Sequence, residues 1–439
     1  MIRVLIFLFF FTNITYASTQ LESHIDDIEM NDLAQIIESR YIRVLTTKNS
    51  FDYYIYQGQH KGYQYELIKK FVAQLNRKFL KESPIKIQFE MIPVDYDKLI
   101  PMLNSGKGDL IAANLTITKS RADKISFSKP YLFSDELIIK NTNIKKISTV
   151  HIRKSSSYYE SLKKSKYNYS ITPESLDTVN LIELVSLGQY EATVSDTVYA
   201  KISKNIFENI SILAKPLKSK QKIAWGVRYK SPKLLKEINL FIPKIKNGSF
   251  LGNMLKKRYF NDVSRTLSNQ KKKRISRFDK LIKKYAKKYS WDWRLLTSLC
   301  FQESRFNQKI VNKWGAIGLF QIKQMTANEP YINIPNIKGS ENVENNIHAG
   351  VKYLSWIKNR YFNKKSIKLK DQYRLTMAAY NAGPARVRKA IKLARKMKLN
   401  PNKWFRNVEY AMAKMRKMEP VTYISEINKR FVSYKILGF

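Results

Sequence analysis

The sequence predicts two domains of different classes, an α/β domain over residues 41–260 and a mostly α domain over residues 276–439. In the first range, short apolar segments such as IRVLTT (42–47) alternate with amphipathic helical patterns such as YELIKKFVAQL (65–75). This alternation is typical of an α/β domain with a largely parallel sheet. In the second range helical periods dominate and strand patterns are weak. A chain of 439 residues is long enough for both domains.

The N-terminal residues 1–17 have the pattern of a secretory signal peptide. Arg3 supplies a positive charge, residues 4–11 form an apolar run, and Ala17 provides the small residue of a cleavage site. The run is too short to span a bilayer, which needs about 20 residues, so we expect export. The alternative is a buried N-terminal strand or helix. Residues 18–40 are polar and acidic-leaning and are predicted to be a lead-in segment.

The segment between the two domains is predicted to be a linker. Residues 261–275, NDVSRTLSNQKKKRI, are polar and basic and lack an apolar period. The first helices of the following domain contain the only cysteine, Cys300, within the apolar pattern WRLLTSLCFQ. We expect Cys300 to be a small buried hydrophobic residue, because no histidine is placed to activate it as a catalytic thiol.

The charge balance indicates an anionic partner. The chain has 80 basic and 35 acidic side chains, which gives a formal net charge of +45. Nucleic acid is one partner class for such a cation, but the signal peptide and the even spread of lysines argue against it. An exported cation suits peptidoglycan, acidic wall polymers or lipid headgroups. We therefore expect peripheral membrane association and no nucleic acid.

Three segments of the first domain carry a family resemblance. They are GYQYELIKKFVAQL (62–75), LIPMLNSGKGDLIAANLTITKSRADKISFSKPYLF (99–133) and VSLGQYEATVSDTVYA (185–200). Together they resemble the type-3 solute-binding fold, which implies that residues 41–260 form a bilobed, periplasmic-binding-protein-like α/β domain.

The resemblance implies a ligand site between the two lobes. Its positions match Asn114, Thr116 and Arg121 for a ligand carboxylate, Asp196 for a ligand amine, and Ser156 with Ser157 for a turn from the second lobe. A guanidinium suits this task because it makes paired, charge-assisted hydrogen bonds to a carboxylate. Two alternatives stay open: Arg121 could be a surface arginine paired with Asp123, and Asp196 could cap a helix.

Five motifs in the second domain carry another resemblance. They are ESRFN (303–307), GAIGLFQ (315–321), NIHAGVKYL (346–354), AAYNAGP (378–384), and Glu419 followed by Tyr423-Ile424. In this order they resemble the lytic transglycosylase domain of the lysozyme superfamily, so residues 276–439 are expected to be lysozyme-like.

The resemblance implies that Glu303 is the catalytic acid. It also implies that Gln321, Tyr380, Asn381 and Tyr423 line the cleft and contact N-acetyl groups or position Glu303. The alternatives are an ion pair between Glu303 and Arg305, a helix cap at Asn381, and core packing of both tyrosines.

The expected chemistry requires a carboxyl group that is protonated near neutral pH. Burial beside apolar groups raises a carboxyl pKa and provides this state. Ordinary glycosidases use two carboxylates, whereas these motifs contain no evident second acid. That fits a transglycosylase, in which the 6-hydroxyl of the substrate attacks and a 1,6-anhydromuramoyl end results.

These expectations define one function and its rivals. We expect a periplasmic enzyme, peripheral on the cell outer membrane, that binds peptidoglycan glycan strands and needs no metal or organic cofactor. An amino acid or muropeptide bound by the first domain would regulate it. The rivals are a sensor that binds glycan without cutting it, a hydrolase that leaves reducing ends, and a transport receptor.

Overall fold

The computed structural model describes residues 28–49, 51–246, 248–260 and 274–439. The predicted signal peptide, the first part of the predicted lead-in and most of the predicted linker lie outside these described residues. Within them, an α/β domain precedes a mostly helical domain.

The first domain contains both helices and strands. Its helices are α1 (Leu33–Ser39), α2 (Tyr63–Phe79), α3 (Leu99–Asn104), α4 (Lys119–Ala122), α5 (Tyr158–Lys163), α6 (Thr178–Ser186), α7 (Thr197–Lys204), α8 (Pro232–Phe241) and α9 (Phe250–Phe260), with 3-10 turns at Tyr96–Lys98 and Ile242–Lys244. Its strands are β1 (Tyr41–Thr47), β2 (Tyr54–Tyr56), β3 (Gln59–Lys61), β4 (Gln88–Val94), β5 (Leu110–Ile111), β6 (Ser126–Phe127), β7 (Leu132–Asn141), β8 (Thr149–Arg153), β9 (Asn168–Thr172), β10 (Ala192–Asp196), β11 (Ile210–Ile212), β12 (Lys218–Ile223) and β13 (Gly226–Val227).

The first lobe is built on a sheet with the strand order β4-β1-β5-β13-β6. Strand β1 pairs in parallel with β4 and β5, whereas β13 pairs antiparallel with β5 and β6. Residues 42–47 of β1 are all buried, as expected for a strand covered on both faces. The end of the predicted lead-in packs on this lobe: Leu33 and Ile36 are buried, and the Asn31 carbonyl accepts a hydrogen bond from Arg228 at 2.7 Å.

The second lobe has its own sheet, with the order β11-β7-β10-β8-β9 and with β12 also paired to β7. Strand β7 is antiparallel to β10, β11 and β12, while β8 is parallel to β9 and β10. The chain crosses between the lobes twice, where the Ser128 N–H bonds the Trp225 carbonyl at 2.9 Å and the Tyr131 N–H bonds the Ile223 carbonyl at 3.0 Å.

The bilobed α/β class is confirmed, but the expectation of a largely parallel sheet is wrong. Each lobe carries a mixed sheet, because β13 is antiparallel to its neighbours in the first lobe and the long strand β7 is antiparallel to its neighbours in the second. Local hydrophobic patterns do not reveal such a crossing, since a buried strand has the same composition in either direction.

The second domain is mostly helical. Its elements are α10 (Asp279–Lys288), α11 (Trp293–Ser304), β14 (Ala316–Ile317), β15 (Ile322–Lys323), α12 (Gln324–Asn328), α13 (Val343–Ile357), α14 (Leu369–Ala382), α15 (Pro384–Lys396), α16 (Glu409–Lys414) and α17 (Met418–Ile436), with π-helical turns at Lys358–Phe362 and Trp404–Val408. Helix α11 lies against α17 and α10. Leu296, Leu299 and Cys300 of α11 are fully buried in the core, which confirms the prediction for Cys300.

The two domains share a buried interface formed by α17 and the β2–β3 hairpin. The Tyr434 hydroxyl donates to the Gly58 carbonyl at 2.8 Å, and the Tyr53 hydroxyl donates to Ser433 Oγ at 2.7 Å. Gly58 has φ +75°, and a Cβ there would lie 2.7 Å from the ring of Phe301 on α11. The hairpin of the first domain therefore touches the helix that carries Glu303, and only glycine fits at its tip.

Candidate active site

Glu303 lies in the last turn of α11. The helix ends there because Arg305 takes a left-handed conformation with φ 51°. The Glu303 side chain is half-buried, and its Oε1 atom accepts a hydrogen bond from the Tyr423 hydroxyl on α17. Burial raises the pKa of Glu303 to about 7; the hydrogen bond from Tyr423 opposes this rise and the charge of Glu419 adds to it. The carboxyl group can therefore hold a proton near neutral pH.

The loop 315–321 is held beside Glu303 by a buried asparagine on α13. Asn346 Oδ1 accepts from the Phe320 N–H at 2.9 Å, and its Nδ2 donates to the Ile317 carbonyl at 2.9 Å. Gly318 has φ +74°, and a Cβ there would lie 2.5 Å from the Asn346 amide. Asn346, the first residue of the NIHAG motif, thus holds the loop 315–321, and the glycine at position 318 lets the two approach closely.

Two further side chains hold the same loop. The Ser304 hydroxyl donates to the Leu319 carbonyl at 3.0 Å, and the Tyr380 hydroxyl donates to the Phe320 carbonyl at 2.6 Å. Since Ser304 follows Glu303 directly, these bonds fix the loop relative to the carboxyl group. The structure therefore places the Tyr380 hydroxyl on the protein backbone.

Gln321 and Asn381 are expected to contact N-acetyl groups; Gln321 ends this loop, and Asn381 follows Tyr380 on α14. Gln321 is half-buried with φ 47°, and its Nε2 donates to the Gly318 carbonyl at 2.9 Å. Asn381 Nδ2 lies 3.5 Å from Glu419 Oε1. The Asn381 Oδ1 atom is buried and has no hydrogen-bond partner among the described residues. A buried acceptor without a partner is costly, so this oxygen is suited to an incoming amide N–H.

Tyr423 is more buried than a substrate contact needs to be. It is 4% exposed, and its hydroxyl donates a hydrogen bond to Glu303 Oε1. Burial, and then the charge of Glu303, raises the pKa of both Tyr380 and Tyr423, which places both phenols within electrostatic range of the carboxyl group. The Tyr423 hydroxyl is therefore directed at the Glu303 carboxyl group.

Glu419 is the acidic group whose charge acts on Glu303 among the described residues. It is exposed, and its Oε1 atom faces the Asn381 amide. The pair therefore consists of a half-buried acid, Glu303, and an exposed carboxyl group, Glu419.

The residues predicted to hold a ligand in the first domain meet between the lobes. Asn114 Nδ2 donates to Asp196 Oδ2 at 2.5 Å, and Ser157 Oγ donates to Thr116 Oγ1 at 3.3 Å. Together with Ser156 they line a cavity of about 30 Å³, which is room for about one water molecule. The two lobes are therefore closed directly on one another.

Arg121 closes the lobes by a different contact. Its Nη1 donates to the Thr116 carbonyl at 2.7 Å and its Nη2 donates to the Ser155 carbonyl at 2.8 Å. Arg121 is 8% exposed, so the alternative of a surface arginine is wrong. Asp196 does occupy the N-cap position of α7, but its side chain makes no capping hydrogen bond and instead accepts one from Asn114.

Sequence reasoning missed several residues of this interlobe site. The Tyr96 ring lies 5.3 Å from the Arg121 guanidinium and 5.0 Å from that of Arg153. Arg153, Asp52 and Asp177 line the small cavity, and Arg153 and Asp177 also line an adjoining cavity of about 380 Å³. Arg153 ends strand β8, and the carboxyl end of a strand is a usual position for ligand contacts; that signal could have identified it.

The described part of the chain contains neither a membrane-spanning helix nor a cluster of metal ligands. None of its helices is both long enough and apolar enough to cross a membrane. Its His, Cys, Asp and Glu side chains form no group of three or more that could hold a metal ion.

Two family models match the chain in the order of its domains. The model described as bacterial extracellular solute-binding proteins, family 3, matches residues 42–262. The model described as transglycosylase SLT domain matches residues 280–403. Among solved structures, an ancestral arginine-binding protein bound to arginine aligns with 50% of this chain and 98% of its own, at 22% identity and a TM-score of 0.42.

Two curated relatives align with both domains. A protein of Desulfosudis oleivorans named membrane-bound lytic murein transglycosylase F is 30% identical, over 91% of this chain and 90% of its own. A protein of Pseudomonas fluorescens with the same name is 29% identical, over 85% of this chain and 77% of its own. The likeness runs through the solute-binding-like and the transglycosylase domain alike, and the chain therefore belongs to the membrane-bound lytic murein transglycosylase F family.

Proposed function

We propose that this chain is a peptidoglycan lytic transglycosylase with Glu303 as its general acid and base. The observation that carries the proposal is the half-buried carboxyl group of Glu303, which has a pKa of about 7 and a hydrogen bond from Tyr423 at Oε1. An ordinary glutamate is ionised at neutral pH and could not protonate a leaving oxygen. The bond cleaved is the β-1,4 bond between N-acetylmuramic acid and N-acetylglucosamine.

The reaction has two halves that return Glu303 to its starting state. In the first half, the Glu303 proton passes to the glycosidic oxygen while the bond between that oxygen and C1 of muramic acid breaks. In the second half, the 6-hydroxyl of the same muramic acid attacks C1, and its proton passes to the Glu303 carboxylate. The product is a 1,6-anhydromuramoyl end, and no water is consumed.

The surrounding side chains support this chemistry in distinct ways. Tyr423 occupies Oε1 of Glu303, which leaves Oε2 for the glycosidic oxygen. The unpartnered Oδ1 of Asn381 would accept an acetamido N–H, and Gln321 is the last residue of the loop that Tyr380 holds. Holding the substrate in this way lowers the barrier by orientation.

The rival product is a reducing end made by hydrolysis, with Glu419 as a second carboxylate. Glu419 is exposed and contacts Asn381, which argues for a role in substrate binding instead. Mass spectrometry distinguishes a transglycosylase from a hydrolase. Purified peptidoglycan is digested by the mature wild-type protein, by Glu303→Gln and by Glu419→Gln, and the products are compared. Anhydromuropeptides from the wild type and from Glu419→Gln, with none from Glu303→Gln, are expected. Reducing ends that vanish with Glu419→Gln would make the enzyme a hydrolase, and no product from the wild type would favour a glycan sensor.

The first domain is proposed to regulate the second through a ligand of the amino-acid or muropeptide class. Asn114 and Asp196 bond each other across the lobes where such a ligand would bind, so a ligand must part them or replace their bond. The lobe that carries the β2–β3 hairpin also contacts α11 at Phe301. Closure of the two lobes could therefore change the position of Glu303 on the same helix. A ligand acts only through its different affinity for the two states.

Calorimetry with muropeptides from the enzyme's own digest, beside initial rates with and without them, tests this regulation. Binding that Asp196→Asn weakens, together with a changed rate, is expected. Unchanged heat and unchanged rate at saturating muropeptide would exclude the proposed ligand class.

The location is proposed to be the periplasm, peripheral on the outer membrane. The support is the predicted signal peptide, the net charge of +45 and the words "membrane-bound" in the names of the relatives. Fractionation of cells, with N-terminal sequencing of the mature protein, tests it. We expect a mature chain that begins at Ser18 and leaves the membrane fraction in high salt, because salt screens attraction to anionic headgroups.

A further inference from the structure

One turn at the surface of the second domain carries an exposed tryptophan. Residues 311–315, VNKWG, are all exposed, and the Trp314 side chain is 69% exposed. The chain contains six tryptophans, and the other five are buried or half-buried. We call residues 311–315 the tryptophan tip. An exposed ring of this size suggests a surface that a partner covers.

The tryptophan tip has a fixed backbone. Asn312 Oδ1 accepts hydrogen bonds from the Trp314 N–H at 2.8 Å and from the Ala316 N–H at 3.0 Å. The Asn312 N–H donates to the Ala316 carbonyl at 2.9 Å, and Gly315 closes the turn with φ +75°. Because the turn is already ordered, little conformational entropy is lost when the ring is covered.

Two more exposed apolar side chains lie on the same edge of the domain. Strands β14 and β15 pair antiparallel with Ala316 opposite Lys323. Trp314 stands two residues before Ala316 and Met325 two residues after Lys323, so both leave the strand pair at the same end. Met325 is 78% exposed, and Val311, within the tip, is 54% exposed. The apolar surface therefore extends beyond a single ring.

The charge around the tip has one sign. Lys309, Lys313 and Lys323 are all exposed, and the Lys313 Nζ atom lies 5.1 Å from the centre of the Trp314 ring. Residues 304–328 contain no aspartate or glutamate. Tryptophan is enriched where proteins meet the membrane–water interface, and lysines close to a bilayer are attracted to anionic lipids. The tip is thus complementary to an anionic lipid surface.

We propose that the tryptophan tip, together with Met325 and the surrounding lysines, docks on the surface of an anionic lipid bilayer. The inference rests on the proposed membrane location and names the surface that makes the contact. A bilayer is favoured over a glycan because ligand sites for small molecules are concave, whereas the tip consists of five consecutive exposed residues. The tip continues directly into the loop 315–321, so docking would hold Glu303 near the membrane.

The experiment measures binding of the chain from Ser18 to vesicles of phosphatidylglycerol and phosphatidylcholine in equal amounts, and to vesicles of phosphatidylcholine alone. Tryptophan emission should shift to shorter wavelength on the anionic vesicles, and Trp314→Ala should lose this shift. Trp314→Ala should also weaken binding about tenfold, which corresponds to about 60 Å² of buried apolar surface.

The lysines provide a second set of variants. Lys309→Gln, Lys313→Gln and Lys323→Gln should each weaken binding to the anionic vesicles about fivefold and leave binding to phosphatidylcholine vesicles unchanged. Phe250→Ala is the control for Trp314→Ala, because Phe250 is a still more exposed aromatic side chain (86%) in the first domain. The control should bind the anionic vesicles as tightly as the wild type.

Three results would overturn the inference: equal affinity of Trp314→Ala and wild type, an emission shift that survives in Trp314→Ala, or an equal loss of affinity in Phe250→Ala. A soluble peptidoglycan fragment, titrated in the inactive Glu303→Gln background, tests the glycan alternative. Trp314→Ala should leave its affinity unchanged, and a loss on the fragment with none on vesicles would make the tip a sugar contact.

Failure of the docking surface can be distinguished from failure of the proposed location. Wild-type protein that binds neither kind of vesicle would refute attachment to lipid and the tip together. Wild-type binding that Trp314→Ala leaves unchanged would refute the tip alone and leave the location standing.

Discussion

Replacing Glu303 by glutamine should remove activity and stabilise the protein in a pH-dependent way. Burial raises the pKa of Glu303 from 4.5 to about 7. The folded state therefore binds the proton more tightly than the unfolded state, and ionising the group costs folding free energy. The cost is absent below the unfolded pKa near 4.5, grows as the pH rises, and is complete above about 7. Glutamine keeps the shape and the acceptor for Tyr423 but cannot ionise.

The size of the effect follows from the pKa shift. At 1.36 kcal/mol per pKa unit the full shift corresponds to about 3 kcal/mol, and because the side chain keeps contact with solvent, we expect about 1–2 kcal/mol. For a domain of this size, 1 kcal/mol moves Tm by about 2–4 °C. Glu303→Gln should thus raise the Tm of the second domain by about 2–8 °C at pH 8 and leave it unchanged at pH 4.

The assay is differential scanning calorimetry of wild type and variant at both pH values, beside the release of anhydromuropeptides. Glu409→Gln is the matched control, because burial also raises the pKa of Glu409 to about 7, away from the cleft. Glu409→Gln should show the same pH-dependent stabilisation with activity retained. A Tm difference for Glu303→Gln that is equal at pH 4 and pH 8, or activity that survives the change, would refute the reasoning.

Three further predictions concern the surroundings of Glu303. Tyr423→Phe removes the hydrogen bond that lowers the Glu303 pKa. The alkaline limb of the pH–activity profile should therefore move to higher pH while kcat falls. An unchanged limb would contradict the hydrogen bond between Tyr423 and Glu303. Asn346→Ala leaves the Phe320 N–H without its side-chain acceptor. We expect the free energy of unfolding in urea to fall by about 2–4 kcal/mol and activity to be lost. A fall of less than about 0.5 kcal/mol would exclude the role of Asn346 in holding the loop. Gly58→Ala forces a Cβ to 2.7 Å from a phenylalanine ring at a φ of +75°, so the two domains should separate more readily. Limited proteolysis at the predicted linker should therefore be faster than in the wild type. An unchanged cleavage rate would show that the interface accommodates the added methyl group.

Much of the site could be predicted because its residues lie in short ordered motifs. Glu303 at a helix end and Asn381 beside a glycine turn follow from local sequence, and so does burial of Cys300. The role of Tyr423 could not be read in this way, because its contact with Glu303 joins residues 120 positions apart. The same holds for the bridge from Arg121 to the Ser155 carbonyl, which forms only where the two lobes meet.

The sequence by itself determined the order of the two domains and the motif that carries Glu303, and it predicts an export signal before them. These depend on patterns within one helix, strand or loop, which are encoded by neighbouring residues. The tertiary structure decided the mixed sheets, the closed lobes, the contact between Gly58 and α11, and the pKa of Glu303. The physical reason is that burial and charge at a side chain are set by segments that are distant in the chain and adjacent only after folding.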